Sequence, residues 1–209
     1  MPSLVGSEMC IRDRLKKVAI TGGVSSGKTT VCRILEKHEA YPISSDQIIH
    51  ELIESDSTCI HQIIDLLGLQ ILTNKKIDRK KVAEEVFSDE QKLHALEAIL
   101  HPCLFDKIEK HYQKVKKNKN YKFFAVETPL LQEINKQDYF DMIVVIDCDK
   151  ALAKKRFQAK GFSGGDYDKR MQRHFTLREK KESAHFTIPN NGTYKELEAQ
   201  TRKFINFFI

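Results

Sequence analysis

Eight consecutive residues near the start of the sequence have the types and spacing of a polyphosphate site. Residues 22–29, GGVSSGKT, match the pattern G-x-x-x-x-G-K-[ST]. Glycines in such a loop let successive backbone N–H groups point at phosphate oxygens, which a Cβ would obstruct. Lys28 supplies a cation for the β- and γ-phosphates, and the Thr29 hydroxyl suits Mg²⁺. The spacing therefore predicts a nucleotide-phosphate site with Mg²⁺ as its companion ion.

Two carboxylates follow apolar runs, at positions where open α/β sheets bind ligands. Asp46 comes just after the run at residues 41–43 and could accept the proton of an acceptor hydroxyl. It could equally be the N-cap of a helix over residues 47–53. Glu127 ends a later run and could hold the Mg²⁺ shell through water, or be an ordinary charge at a strand end. Residue chemistry alone leaves both pairs of roles open.

Two short patterns raise the alternative of a GTP-binding switch. Residues 135–138, NKQD, match a guanine-reading motif, and residues 65–68, DLLG, match a switch motif. The first should follow an apolar strand but follows a polar turn, and the second lies in the helix-like stretch HQIIDLLGL. Their context therefore disfavours a GTPase.

Short apolar runs alternate with longer helix-patterned segments along the chain. The runs lie at residues 17–20, 41–43, 123–126, 142–146 and 186–188. This alternation predicts an α/β fold of the phosphate-loop NTPase type, with a parallel five-stranded sheet flanked by helices. Residues 46–119 contain no such run and are expected to be a helical insertion. Leu93, Leu96, Ile99 and Leu100 would share one helix face there.

A polar segment with three glycines, Gly161, Gly164 and Gly165, suits a hinged lid. The expected organisation is a nucleotide-binding core at 15–45, 120–157 and 182–209, a helical acceptor domain at 46–119 and a lid at 158–181. Residues 1–14 show no helical or strand period, so we expect a non-native or disordered tail there.

Composition excludes several classes of protein. The 209 residues include 35 Lys and Arg against 29 Asp and Glu, a formal charge of +6, with 41% hydrophobic residues. These values do not fit disordered or fibrous chains. The five cysteines form no CxxC pair, which favours a reducing compartment over a zinc or disulfide site. No apolar run approaches the roughly 20 residues that cross a bilayer. We therefore expect a cytoplasmic protein.

From Leu15 onward the chain resembles the bacterial dephospho-CoA kinases. The resemblance rests on TGGVSSGKTT, SSDQIIHEL, VAEEVF, LEAILHP, VETPLLQE, FDMIVVIDCD, KKRFQAKG, KRMQRH and IPNNGT, in family order. LEAILHP and PLLQE are more specific than the phosphate loop, which many small kinases share. The resemblance implies transfer of the ATP γ-phosphoryl group to the ribose 3′-hydroxyl of dephospho-CoA, the last step of coenzyme A synthesis.

The resemblance also implies roles for particular residues. Those implied to contact ATP are Gly23, Val24, Ser25, Ser26, Gly27, Lys28, Thr29, Thr30, Arg156, Asn190 and Gly192. Those implied to be catalytic are Lys28, Asp46 and Arg170; the acceptor is expected at Asp46, Arg79 and His101, and Mg²⁺ at Thr29 and Glu127. Locally, His101 and Pro102 predict a break in a helix, and residues 190–192, NNG, predict a turn.

The chain departs from the family at six positions. Ser25 stands where the family usually has Gly, Ser44 and His185 where it has Asp, Ala153 and His174 where it has Gln, and Lys160 where it has Arg. These departures make acceptor specificity the least direct inference, and another small-molecule kinase, of nucleoside monophosphate or shikimate type, stays an alternative. A nucleic-acid binder would be expected to show a pattern of stacking aromatics or a recognition motif, and the sequence has neither. We expect no nucleic-acid or membrane partner and a monomer or weak homo-oligomer.

Overall fold

The central sheet of the computed structural model has five strands, and the structure describes residues 14–87 and 89–208. The strands are β1 Lys16–Gly22, β2 Ala40–Ser44, β5 Phe123–Glu127, β6 Met142–Asp147 and β7 Phe186–Pro189. Their order is β2–β5–β1–β6–β7. β1 pairs in parallel with β5 and β6, and β6 pairs in parallel with β7. The predicted parallel sheet is confirmed, and β1 is its middle strand.

Helices pack against this sheet through apolar faces. The helices that alternate with its strands are α1 Lys28–Glu36, α6 Lys150–Gln158, α7 Gly164–Met171, α8 Leu177–Glu182 and α9 Tyr194–Phe208. α1 buries Val31, Ile34 and Leu35 at i, i+3 and i+4, and α9 buries Leu197, Phe204 and Ile205. These side chains share one core cluster with the strand residues. The helix after the phosphate loop is therefore held against the sheet by its own amphipathic face.

The chain forms two compact units. One contains residues 14–43 and 115–208 with the central sheet, and the other contains residues 44–114. The second unit contains α2 Ser45–Ser55, α3 Ser57–Leu67, a hairpin of β3 Leu72–Thr73 and β4 Lys76–Ile77, α4 Arg79–Phe87, and α5 Glu90–Lys116 except for its last two residues, which belong to the first unit. Leu96 and Leu100 are buried in its apolar cluster, and Leu93 and Ile99 pack against that cluster. The helix face expected from the sequence is the one that is buried.

Pro102 lies inside α5, so the helix break expected at His101 and Pro102 is wrong. Proline removes one backbone donor and crowds the preceding turn, which costs about 3 kcal/mol in a helix interior. Leu96, Leu100, Leu104 and Ile108 are buried at helical spacing on both sides of it. Their continuous burial favours one uninterrupted helix over the local preference of proline.

Of the tail expected at residues 1–14, all but Arg14 lies outside the described residues. Cys32, Cys59, Cys103 and Cys148 carry free thiols. Among the described helices, none is both long and apolar enough to span a membrane.

Candidate functional site

The phosphate loop joins β1 to α1 at the centre of the sheet. Gly22 has φ +141°, and a Cβ there would lie 2.7 Å from the carbonyl oxygen of Ile146 on the neighbouring strand. Gly27 has φ +104° and is the N-cap of α1. A Cβ on Gly27 would overlap the side-chain amide of Asn190. The two glycines of the motif therefore provide a backbone shape and a close approach that other residues would obstruct, and the helix N-terminus adds its dipole.

Lys28 is buried within this loop. Its Nζ donates to the carbonyl oxygens of Gly22 at 3.2 Å and of Gly23 at 2.8 Å. The ammonium group thus lies against the loop backbone and is satisfied there. A phosphate oxygen is negatively charged and is therefore a stronger acceptor for this ammonium group than a backbone carbonyl oxygen.

Thr29 and Glu127, the two residues expected to hold Mg²⁺, are in contact. The Thr29 hydroxyl donates to Oε1 of Glu127 at 2.9 Å. A hydroxyl and a carboxylate are the hard oxygen donors that Mg²⁺ prefers. Within residues 14–87 and 89–208, His, Cys, Asp and Glu form no group of three or more that could hold a metal ion. These residues fit an ion that takes most of its ligands from water and substrate phosphates.

Asn190 connects the loop to the end of β7. Its buried side-chain amide donates to the carbonyl oxygen of Ser26 at 2.7 Å. Its own carbonyl oxygen accepts a hydrogen bond from Arg156 at 3.0 Å. Arg156 also donates to Sγ of Cys148 at 3.4 Å. Asn190 thus does more than form part of a turn, because it holds both the phosphate loop and Arg156 in place.

A cavity of about 510 Å³ gathers most of the residues expected to contact ATP. It is lined by Ser25, Ser26, Gly27, Lys28, Thr29, Thr30, Glu127, Arg156, Ala159, Lys160, Asn190, Gly192, Tyr194 and Leu197. Three of these side chains are cationic and one is anionic, so the cavity carries a positive balance suited to phosphates. Lys160 lines it where the family usually has arginine.

A second cavity, of about 630 Å³, lies between the phosphate loop and the segment 167–180. Gly23, Val24 and Ser26 line one side, and Met171 and His174 are among the residues that line the other. Nδ1 of His174 and Oγ of Ser26 are buried side-chain atoms without a hydrogen-bond partner. Burial, reinforced by the charge of Lys180, lowers the pKa of His174 to about 4, against a smaller opposing effect of Glu133. His174 is therefore neutral at pH 7.

Arg170, the catalytic arginine expected in the lid, lies on the exposed side of α7. Its guanidinium carbon is 5.3 Å from the ring centre of Phe157 and 5.2 Å from that of Phe162. Neither of the two cavities is lined by Arg170. Gly164 and Gly165 form the first turn of α7, which Ser163 caps, whereas Gly161 has φ +89° and open space around it. Of the three glycines, Gly161 best fits a hinge.

Asp46, Arg79 and His101 lie on three helices of the second unit. Asp46 is exposed in the first turn of α2, while the Ser44 hydroxyl caps that helix by accepting from the backbone N–H of Gln47 at 3.4 Å. The reading of Asp46 as the N-cap is therefore wrong. Arg79 begins α4 and is exposed, and His101 is half-buried in α5.

Two departures from the family have a structural counterpart. Ser25 has φ +54°, in the left-handed region that favours the glycine usual at this position. Nδ1 of His185 accepts a hydrogen bond from the backbone N–H of Ile143 at 3.1 Å. A ring nitrogen there provides an acceptor, as the usual aspartate carboxylate could.

Neither GTPase-like pattern stands at the end of a strand. Asp65 lies inside α3. Asn135 lies in a turn with φ +51°, and Asp138 is in a short 3₁₀ helix at Gln137–Tyr139. These positions agree with the sequence context that disfavoured a GTPase.

The chain is similar in sequence to known proteins that all have the same name. A family model described as dephospho-CoA kinase matches residues 16–196. A dephospho-CoA kinase of Protochlamydia amoebophila is 41% identical over 192 residues, covering 91% of this chain and 95% of that protein.

Two of the similar solved structures show how far the likeness extends. The dephospho-CoA kinase from Campylobacter jejuni has a TM-score of 0.68 at 28% identity, covering 91% of this chain and 95% of that one. The TT1252 protein from Thermus thermophilus has a TM-score of 0.81 at 21% identity, covering 94% of this chain and 99% of that one, and shows the shared fold.

Proposed function

Because the chain belongs to the dephospho-CoA kinase family, we propose that it transfers the γ-phosphoryl group of ATP to the ribose 3′-hydroxyl of dephospho-CoA, the last step of coenzyme A synthesis. The observation that carries this proposal is the family match over residues 16–196, which includes the phosphate loop and the residues around it. The positively charged cavity of about 510 Å³ supports ATP as the donor. A kinase of nucleoside monophosphate or shikimate type is not favoured.

In this proposal the phosphate loop binds the ATP phosphates through its backbone N–H groups and Lys28. The Nζ of Lys28 exchanges its bonds to the carbonyls of Gly22 and Gly23 for bonds to phosphate oxygens. Asn190 keeps the loop in shape through the carbonyl of Ser26. Arg156, oriented by Asn190, contributes a further positive charge beside the phosphates.

Thr29 and Glu127 would hold Mg²⁺ beside the phosphates, the former directly and the latter through water. Mg²⁺ held there would supply positive charge to offset the negative charge that develops during transfer. The contact of 2.9 Å between the two side chains supports this placement, because it brings together a hydroxyl and a carboxylate oxygen, the donors that Mg²⁺ prefers.

On the acceptor side, we assign Asp46 the role of orienting the 3′-hydroxyl and accepting its proton. Its exposure in the first turn of α2 leaves the carboxylate accessible to a ligand. Arg79 and His101 would contact dephospho-CoA in the same helical unit. Arg170 would offset charge on the transferring phosphoryl group once the segment 158–181, proposed as a lid, closes.

We expect the protein to act in the cytoplasm as a monomer or weak homo-oligomer, on small molecules only. This expectation rests on the free thiols of the described cysteines and on the small-molecule chemistry of the family.

The test is to incubate the purified protein with ATP, Mg²⁺ and dephospho-CoA and to follow CoA by mass spectrometry and ADP by a coupled assay. Shikimate and nucleoside monophosphates serve as competing acceptors, GTP as a competing donor, and chelation of Mg²⁺ as a control. We expect CoA to form with ATP and Mg²⁺. Phosphorylation of shikimate or a nucleoside monophosphate in preference to dephospho-CoA, or a strong preference for GTP, would refute the proposal.

A further inference from the structure

A buried ion pair joins Glu133, the last residue of the VETPLLQE motif, to Lys180, which lies outside the family motifs. Lys180, in α8, has a side chain only 1% exposed, and its Nζ lies 2.8 Å from Oε1 and 3.0 Å from Oε2 of Glu133. The side chain of Glu133 is 11% exposed. A charged pair at such depth is costly to bury and is replaceable by apolar side chains when it only stabilises a fold. Its directional bonds therefore need an explanation other than stability.

The hydrogen-bond partners of the Lys180 ammonium group belong to the segment that follows β5. Besides Glu133, Nζ of Lys180 donates to the carbonyl oxygen of Pro129 at 2.9 Å and to Oε1 of Gln132 at 3.4 Å. Gln132 returns hydrogen bonds to the backbone carbonyl of Lys180 at 3.4 Å and to Oγ of Ser183 at 3.1 Å. α8 is thus attached to this segment by bonds in both directions.

The same segment is attached to the strand that leads into the phosphate loop. The hydroxyl of Thr21, the residue before Gly22, donates to the carbonyl of Pro129 at 3.4 Å and to Oε1 of Gln132 at 3.5 Å. Pro129 and Gln132 therefore contact both Thr21 and Lys180. A short chain of hydrogen bonds connects α8 to the end of β1.

Glu133 also holds the backbone ahead of α8. Its Oε1 accepts the backbone N–H of Phe175 at 2.7 Å. Phe175 and Lys180 line the cavity of about 630 Å³ together with Gly23 and Val24 of the phosphate loop. One carboxylate thus secures both ends of the stretch that faces the loop across this cavity. The other end of the lid segment leaves α6 through Gly161, which has open space around it.

We propose that Lys180 is a positioning residue, which through Glu133 and Pro129 sets the position of the lid segment, residues 158–181, against the phosphate loop. This inference rests on the proposed function for its kinetic consequence, since a misplaced lid would deliver Arg170 poorly and admit water. Burial lowers the pKa of Lys180, and the hydrogen bond and charge of Glu133 oppose that shift.

The test separates position from stability by comparing three variants. Lys180→Met alone leaves the Glu133 carboxylate without its cation and should be strongly destabilised. Lys180→Met combined with Glu133→Gln removes both charges but keeps an acceptor for the N–H of Phe175. The urea midpoint of unfolding of this double variant should therefore return most of the way to the wild-type value. Lys181→Met is the matched control, because the neighbouring Lys181 makes a more exposed ion pair with Asp147.

We expect the double variant to fold, yet to show a kcat at least tenfold lower, a raised KM for ATP, and amide exchange in α7 at least tenfold faster than the wild type. The Lys181→Met control should match the wild type in all three measurements. Wild-type kcat, KM and exchange in the double variant would overturn the proposal, as would failure of both Lys180 variants to fold, which would make the pair a requirement of the fold. Amide exchange needs no acceptor, so it decides this proposal even if dephospho-CoA proves not to be the substrate.

Discussion

Replacing His174 with the family's glutamine should flatten the acid dependence of stability. Burial and the charge of Lys180 hold the pKa of His174 at about 4, against 6.5 for a free histidine. Between these two values the unfolded chain binds a proton at this residue and the folded chain does not. The free energy of unfolding therefore falls as pH falls through this window, by about 1.4 kcal/mol per pH unit. The full effect is present at pH 4 and below and amounts to about 3 kcal/mol.

The perturbation is His174→Gln, since Gln keeps polar atoms at this site but does not titrate. From pH 6.5 to pH 5, the wild type should lose about 2 kcal/mol that the variant does not lose. Other groups that titrate contribute equally to both proteins, so the difference between them isolates His174. Above pH 7, His174 is neutral in both the folded and the unfolded chain. The free energies of unfolding of the wild type and of His174→Gln should therefore differ least in pH dependence there.

The assay is urea unfolding followed by far-ultraviolet circular dichroism, because the chain contains no Trp. Measurements at half-unit steps from pH 7.5 to pH 5 give the free energy of unfolding for each protein. His61→Gln, at an exposed histidine of α3, is the control and should follow the wild type. Parallel curves for the wild type and His174→Gln would refute the reasoning, because they would mean that His174 takes up its proton equally in the folded chain.

Three further outcomes test the site. Asp46→Asn should lower kcat by at least about a hundredfold, the usual contribution of a general base, while the Kd for ATP by calorimetry stays near its wild-type value; unchanged turnover would contradict the role assigned to Asp46. Asn190→Ala leaves the buried carbonyl of Ser26 unpaired, so the free energy of unfolding should fall by about 1–3 kcal/mol and the KM for ATP should rise; an unchanged KM would mean that the loop keeps its shape without Asn190. Ser25→Gly places in the left-handed region a residue that adopts it without strain, so the free energy of unfolding should rise by up to about 1 kcal/mol; a lower free energy of unfolding would show that Ser25 is not strained there.

Local sequence patterns predicted the parts of the fold that depend on local chemistry. The alternation of apolar runs and helical segments predicted the five strands, and the glycine and lysine spacing predicted the loop between β1 and α1. The apolar face of α5 was equally visible at Leu96 and Leu100. Each of these features follows from residues close together in the chain.

Errors arose where two local signals competed or where a partner is distant. Ser44 and Asp46 both suit an N-cap, and the structure uses Ser44. Pro102 favours a break, but the burial of the turns around it keeps α5 continuous. The bond from Asn190 to Ser26 could not be predicted, because nothing in the sequence NNG indicates which carbonyl it will meet. The Lys180 network was missed for the same reason.

The bond between Asn190 and Ser26 joins residues 164 positions apart, which has a consequence for how the chain becomes functional during its synthesis. The phosphate-loop sequence leaves the ribosome before β5 and β6, the strands on either side of β1, have been synthesised. A nascent chain therefore carries the complete motif long before the loop can take its final shape. A short protease treatment with and without ATP would distinguish the two kinds of molecule. ATP should protect chains that contain Asn190 from cleavage, but not chains that end before residue 190.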